Sequence, residues 1–326
     1  MTNGDVRRIT VVGIGAMGHG IAQVCAAAGL DVTLFYRQAS RLDEALAKIH
    51  NNLRLLTDLG HVTASEAEAT LAHLRGEGDL ASAVKDADLV LESLPEDLEL
   101  KRALYRQLDA LCPERSVLGS NTSSFRITEL AEATRRGDRV CGIHWVAPPY
   151  IVPVVEIIAG AKTSEETLAF ARSFVSRVGK VPVVARDVPG FILVRLTNAL
   201  YNEAMALVEQ GVASPQDVDN AYRLGSGMLT TLLGPLRQAD LAVNKHTTAS
   251  VLAYLYGETG ETKFKPPAIL AEQVAAGRLG LAAGKGWYDY DGRDPEAVRR
   301  WRDERALALL DLVRRQGLLA ADPLPR

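Results

Sequence analysis

The stretch RITVVGIGAMGHGIAQ, from Arg8 to Gln23, decides the fold. It opens as a short β-rich run, passes through glycines and continues as a helix. Gly13, Gly15 and Gly18 stand in the spacing G-x-G-x-x-G. The first glycine permits a tight turn, the second lets pyrophosphate approach the backbone, and the third lets helix and strand pack closely. Phosphates then rest on the unpaired N–H groups at the helix N-terminus. Gly13, Gly15, Ala16, Met17 and Gly18 therefore form the candidate phosphate cradle, and the pattern implies a dinucleotide.

Outward from that unit, strand-like and helix-like segments alternate. DVTLF is followed by helical stretches over about 40–57 and 64–74. ADLVLESL, SVLGSN, RVCGIHWV, VPVVEIIAG and VPVVARD then read as strands, with helices between several of them. Alternation on this scale predicts a parallel, doubly wound sheet. After DVPGF the chain reads as helix after helix, with Ser214–Pro215 as a helix start and Gly211 and Gly225 as helix stops. The expected architecture is α/β: a Rossmann-type dinucleotide-binding domain over residues 1–187, then an all-helical substrate and dimerisation domain over 188–326.

The 326 residues are 47% hydrophobic and 24% charged with a net charge of −3, which suits a soluble globular chain and gives nucleic acid or an anionic membrane no claim as partner. Cys25, Cys112 and Cys141 lie far apart without metal-ligand spacing, so no metal is expected and a reducing, cytoplasmic setting is. The N-terminal apolar run is too short for a signal peptide, and no segment has the length of a membrane span.

The second strand ends in VTLFYRQASR, Val32 to Arg41. A carboxylate there would accept hydrogen bonds from the adenosine ribose and repel a 2′-phosphate. Here the position is Tyr36, with Arg37 next and Ser40 and Arg41 close by. Arginines can neutralise a phosphate and stack on adenine. The expected cofactor is therefore NADP or NAD, with NADP favoured by Tyr36, Arg37 and Arg41.

Four later stretches place polar residues in apolar surroundings: LESLPEDLELK, GSNTSSF, GIHWVAPPYIVPVVEI and PGFILVRLTNALYNEA. With the glycine motif, they resemble the L-3-hydroxyacyl-CoA dehydrogenase family over nearly the whole chain. PPYIVPVVEI, GVASPQDVDNAYRLGSGM, LGPLRQADL and GKGWYDY are most similar to the branch containing L-gulonate 3-dehydrogenase and lambda-crystallin. The resemblance implies that His144 is the catalytic base and that Glu156, twelve residues on, orients it. It implies that Ser123 hydrogen-bonds the substrate oxygen, and that Glu96 and Lys101 lie near the nicotinamide ribose. Imidazole titrates near neutrality and suits proton transfer in both directions. Ser123 has a second reading, as the cap of a helix expected from Ile127 or as a residue that satisfies a turn.

Two positions depart from the family pattern. Ala147 stands where HxxNP has asparagine, and Val194 stands where GFxxNR has it. Asn198, one helical turn after Val194, is the expected replacement. Arg195 and Lys245 are the cations weighed for an acidic substrate, against ordinary surface or helix-end charges. The expected activity is NAD(P)-dependent interconversion of a 3-hydroxy acid or 3-hydroxyacyl thioester with its 3-keto form. The alternatives are a repurposed enzyme acting on an aldehyde or another β-carbonyl compound, and a dinucleotide-binding protein with little turnover. Apolar residues on more than one face of the helices following Phe191 imply a homodimer.

Overall fold

The computed structural model describes residues 6–320 and residue 323. Its sheet-bearing part comprises β1 (Arg8–Val12), α1 (Gly18–Ala27), β2 (Asp31–Phe35), α2 (Ala39–Asp58), α3 (Ala64–Ala72), β3 (Leu74–Glu77), α4 (Leu80–Val84) and β4 (Leu89–Glu92). It continues with α5 (Leu98–Leu111), β5 (Val117–Ser120), α6 (Ile127–Ala131), β6 (Val140–Trp145), β7 (Val154–Ala159), α7 (Glu165–Arg177) and β8 (Val181–Arg186). Eight strands form one sheet in the order β3-β2-β1-β4-β5-β6-β7-β8. β1, β4 and β5 bury every side chain from Ile9 on, which marks strands covered on both faces. One core packs α1 and α7 against the sheet; the other packs α4, α5 and α6 on its opposite side.

Two features differ from the expectation. Leu74–Glu77 is an edge strand paired with β2, whereas the sequence pattern continued α3 through residue 74. Its residues, LRGE, carry no β-branched side chain, so the ladder to β2 overrides local preference. The sheet is also not wholly parallel, because β6 and β7 are antiparallel. Only residues 146–153 separate them. A parallel return needs a crossover of about a dozen residues or more, so this connection can only reverse the chain.

The chain divides into two compact units, Met1–Ala199 and Leu200–Arg326. Packing ties the residues just after β8 to the first unit: Phe191 is buried in the core beneath β4, β5 and β6, and the amides of Ile192 and Leu193 are bound from β7. α8 (Leu193–Glu209) starts in the first unit and runs into the second.

The second unit holds α9 (Pro215–Ala221), α10 (Gly227–Leu233), α11 (Pro235–Ala242), α12 (Lys245–Thr259), α13 (Ala268–Ala275) and α14 (Pro295–Arg315). Ser214 caps α9 by accepting the Asp217 amide, with Pro215 in the first turn. Gly211 follows α8 at φ +68°, a left-handed stop. Gly225, at φ −102° and ψ −114°, leaves the helical path, and the chain kinks there between α9 and α10. Asp240 anchors this unit. Its Oδ1 accepts from Lys245 Nζ at 2.5 Å, and its Oδ2 accepts from the Tyr288 amide at 3.2 Å and the Tyr290 hydroxyl at 3.1 Å. Lys245 Nζ also lies 5.3 Å from the Trp287 ring centroid. Lys245 is thus a buried structural cation, not one offered to an acidic substrate.

Candidate active site

The glycine turn lies where the sheet order reverses, since β1 pairs with β2 on one side and β4 on the other. A crevice at the carboxyl ends of the strands forms at such a point. Gly13 has φ +95°, and a Cβ there would lie 2.4 Å from the Ser93 carbonyl oxygen. A Cβ on Gly18 would lie 2.0 Å from the Gly13 carbonyl oxygen. These two glycines are dictated by the protein's own packing. Gly15 differs: it is exposed, and nothing lies within 4 Å of the Cβ it lacks. Its bareness leaves room above the turn, which fits a pyrophosphate seated against the first turn of α1. Ala16 is exposed beside it, and Met17 takes the N-cap position with no side-chain cap. The His19 ring hydrogen-bonds the Gly15 carbonyl at 2.7 Å, so it braces the turn.

At the end of β2, the Tyr36 ring lies along β3. A Cβ on Gly76 would be 3.1 Å from its Cε1, and one on Gly78 3.5 Å from its Cε2. Arg41 pairs with Glu44 at 2.9 Å on the surface. Arg37 is exposed.

His144 is on β6 and Glu156 on β7, directly opposite each other in the antiparallel register. Cross-strand partners have Cβ atoms about 5 Å apart on one face. The chain reversal thereby converts a spacing of twelve residues into contact: His144 Nδ1 lies 2.7 Å from Glu156 Oε2. Glu156 is 0% exposed and His144 7%. Glu156 Oε1 accepts the amides of Ile192 at 2.9 Å and Leu193 at 3.0 Å, the unpaired donors at the start of α8. Burial pushes the Glu156 carboxyl up, but the His144 hydrogen bond and the Leu193 and Ile192 amides outweigh it and hold it below its usual range. Phe191, at φ +45°, brings its ring to 6.0 Å from the imidazole, centroid to centroid. With Nδ1 engaged, Nε2 is the imidazole nitrogen left for a substrate.

Ser123 lies in the turn after β5. Its amide donates to Glu96 Oε1 at 3.1 Å, while its hydroxyl is 3.5 Å from that oxygen. It does not cap α6; Asp187 does, accepting the amides of Ile127 at 2.6 Å and Thr128 at 2.8 Å. Two carboxylate oxygens aimed at successive amides leave that helix start nothing to take from a serine hydroxyl. Asn121 ties this turn to β6 by accepting the Trp145 amide at 2.7 Å. Lys101 is 1% exposed, with Nζ 2.7 Å from Glu92 Oε1, 3.1 Å from the Leu94 carbonyl and 3.3 Å from Glu96 Oε2. The sequence reading missed Glu92, whose only signal is a carboxylate ending an otherwise apolar strand. Ala147 is exposed in the β6–β7 connection. Asn198 is exposed on α8 and donates its amide to the Val194 carbonyl at 2.8 Å, within its own helix.

The glycine turn, the switch in strand order and the carboxylate-held imidazole define a dinucleotide-binding oxidoreductase. Comparison with known proteins agrees. Residues 8–188 match the NAD-binding domain of 3-hydroxyacyl-CoA dehydrogenase, and residues 190–290 match the C-terminal domain of the same enzyme. A 3-hydroxybutyryl-CoA dehydrogenase of Clostridioides difficile is 35% identical over 284 residues, covering 87% of this chain and 99% of that one. A 5-formyl-3-hydroxy-2-methylpyridine 4-carboxylate 5-dehydrogenase of Mesorhizobium japonicum is 34% identical over 310 residues, covering 95% and 98%. The crystal structure of a 3-hydroxyacyl-CoA dehydrogenase from Archaeoglobus fulgidus superposes with a TM-score of 0.78 at 31% identity, covering 96% and 100%. The chain belongs to the 3-hydroxyacyl-CoA dehydrogenase family.

Among the described residues, no helix is long and apolar enough to cross a membrane, and no group of three or more His, Cys, Asp or Glu side chains could hold a metal ion. Burial pushes the thiols of Cys25 and Cys141 up to about 12.

Proposed function

We propose that this protein interconverts a 3-hydroxyacyl thioester and its 3-keto form. The observation that carries the reading is the imidazole of His144, fixed through Nδ1 by a buried carboxylate that is itself fixed by two helix amides. In oxidation, His144 Nε2 takes the hydroxyl proton as the carbinol carbon gives up hydride; in reduction, it returns that proton to the new alkoxide. Glu156 keeps the ring in one orientation and offsets the positive charge it gains, the logic of a base held by a third group. The Ser123 hydroxyl, weakly engaged at 3.5 Å, is free to hydrogen-bond the reacting oxygen. Bound NAD supplies the hydride acceptor in one direction and the donor in the other. The test is oxidation of NADH in the presence of acetoacetyl-CoA. Turnover that disappears in His144→Ala supports the reading; no turnover by the parent protein refutes it.

A second substrate reading has its own support. Ala147 and Val194 remove two amides that the family pattern offers near the reacting carbonyl, and an unmet hydrogen bond of this kind costs about 1–3 kcal/mol. The Mesorhizobium japonicum relative carries a 5-formyl compound in its name and matches 95% of this chain. An aldehyde or other β-carbonyl compound is therefore the second candidate. Asn198 would contribute there only by leaving its bond to the Val194 carbonyl. Assaying acetoacetyl-CoA, a free β-keto acid and an aromatic aldehyde side by side separates the two.

For the cofactor, the NAD-binding domain supports NAD. We extend this to NADP through Arg37, exposed beside a strand end that bears no carboxylate. Arg41 is a weaker candidate, being paired with Glu44. A homodimer built on the helical unit is the favoured assembly, since Tyr201, Met205, Val208 and Val212 are exposed along and just after α8. The cytoplasm is the favoured location, on the strength of three buried, free cysteines.

A further inference from the structure

The proposed reaction leaves one buried carboxylate without a task. Glu92 ends β4, in register with Val12 of β1 on one side and Ser120 of β5 on the other. It therefore stands between the strand that leads into the glycine turn and the strand that leads into the Ser123 turn. It is 0% exposed. Oε1 accepts from Lys101 Nζ at 2.7 Å and from the Leu94 amide at 2.6 Å; Oε2 accepts from the Ser120 hydroxyl at 2.6 Å.

We propose that Glu92 is a positioning residue of this site, holding Glu96 through Lys101 and the Ser123 turn through Glu96; the proposal rests on the oxidoreductase reading above. An ammonium group has three protons. Those of Lys101 face Glu92, the Leu94 carbonyl and Glu96, so none is left over for a ligand. Lys101 thus acts through its neighbours rather than by touching cofactor. Glu96 Oε1 gathers the Thr122 hydroxyl at 2.6 Å, the Ser123 and Ser124 amides at 3.1 Å each, and the Ser124 hydroxyl at 2.7 Å. One oxygen of one carboxylate therefore sets the backbone on which the Ser123 hydroxyl is mounted. Two carboxylates share a single ammonium in this relay. Neutralising Glu92 leaves Lys101 with Glu96 as its one anionic partner and draws Glu96 away from the turn it organises.

Glu92→Gln is the probe, because it removes the charge while its amide oxygen can still accept from the Leu94 amide, and the Ser120 hydroxyl can turn to accept from its NH2 group. With NADH and acetoacetyl-CoA, Glu92→Gln and Glu96→Gln should each lower kcat at least tenfold. The double variant should be no worse than the poorer single, since both cut one relay. Glu92→Asp, which keeps the charge, should recover part of the loss and stands in if the glutamine variant does not fold. Amide hydrogen exchange reads the relay without turnover: Ser123 and Ser124 should exchange at least tenfold faster in Glu92→Gln. Unchanged exchange there, or losses that multiply in the double variant, would overturn the relay. A parent protein inactive on every carbonyl substrate would overturn the proposed function instead, with the exchange result still deciding the relay.

Discussion

Each compact unit contains a buried carboxylate bonded to a base, and the two pairs are built to opposite ends. Asp240 in the helical unit is closed on every side: Lys245, the Tyr288 amide and the Tyr290 hydroxyl take its oxygens, and the Trp287 ring faces the ammonium. A Cβ on Gly286 would lie 2.3 Å from Asp240 Oδ1, so even the neighbouring backbone is fitted around it. Glu156 in the sheet unit is just as buried, but its partner is an imidazole with a second nitrogen. The first pair can only hold. The second can hold and still exchange a proton. The difference lies less in burial than in whether the base has a functional atom beyond the ion pair.

This contrast can be broken most decisively at His144. His144→Ala should lower kcat per folded molecule by about 10²- to 10⁴-fold, measured by NADH oxidation, beyond whatever stability is lost with its bond to Glu156. A parent-like kcat would leave the two pairs functionally equivalent. Lys245→Met should show the mirror image. Breaking a buried pair from one side costs about 3–5 kcal/mol, so unfolding in urea should shift strongly while kcat per folded molecule is kept. Equal damage to kcat and stability in this variant would erase the distinction drawn here.

Glu156→Gln sharpens the comparison, because the amide oxygen can still accept from Ile192 and Leu193. A kcat loss of about 10²-fold with modest destabilisation is expected, by the same assays. The pH dependence of stability has a definite sign. The Glu156 carboxyl is held below its usual value of 4.5 in the folded protein, by its hydrogen bonds in spite of burial. Its stabilisation is therefore complete above about 4.5 and is lost as the pH falls through the lower folded value. Urea midpoints followed downward from neutrality should drop more steeply in the parent than in Glu156→Gln. Parallel curves would show that Glu156 is not the group responsible. The smallest effect is expected at the nucleotide end: Arg37→Ala should lower kcat/KM for NADPH about tenfold, worth ~1.4 kcal/mol, and leave NADH unchanged.

The nucleotide end was legible because its residues serve local geometry. Gly13 and Gly18 answer to backbone atoms a few ångströms away, and such constraints leave a fixed spacing in the sequence. His144 and Glu156 were legible by resemblance, but the reason for their spacing was not. That reason is the reversal between β6 and β7, which the short connection of residues 146–153 already contained. β3 was hidden because an edge strand with arginine and glycine is made by its partner, not by its own residues. Glu92 was hidden for a related reason: an acid at the end of an apolar strand acquires meaning only when Lys101 and Ser120 arrive from elsewhere in the chain. The capping role given to Ser123 failed because Asp187, some sixty residues later, occupies the amides it would have needed.

Glu156 spends one oxygen on the imidazole and the other on the first turn of α8. The imidazole and the root of a long helix therefore hang from the same two-pronged hook. A drifting descendant of this sequence cannot retune the basicity of its histidine without also loosening or tightening where that helix takes off. Selection for a new substrate should leave this carboxylate alone and do its work at positions such as 147 and 194, which lie to either side of it in the chain.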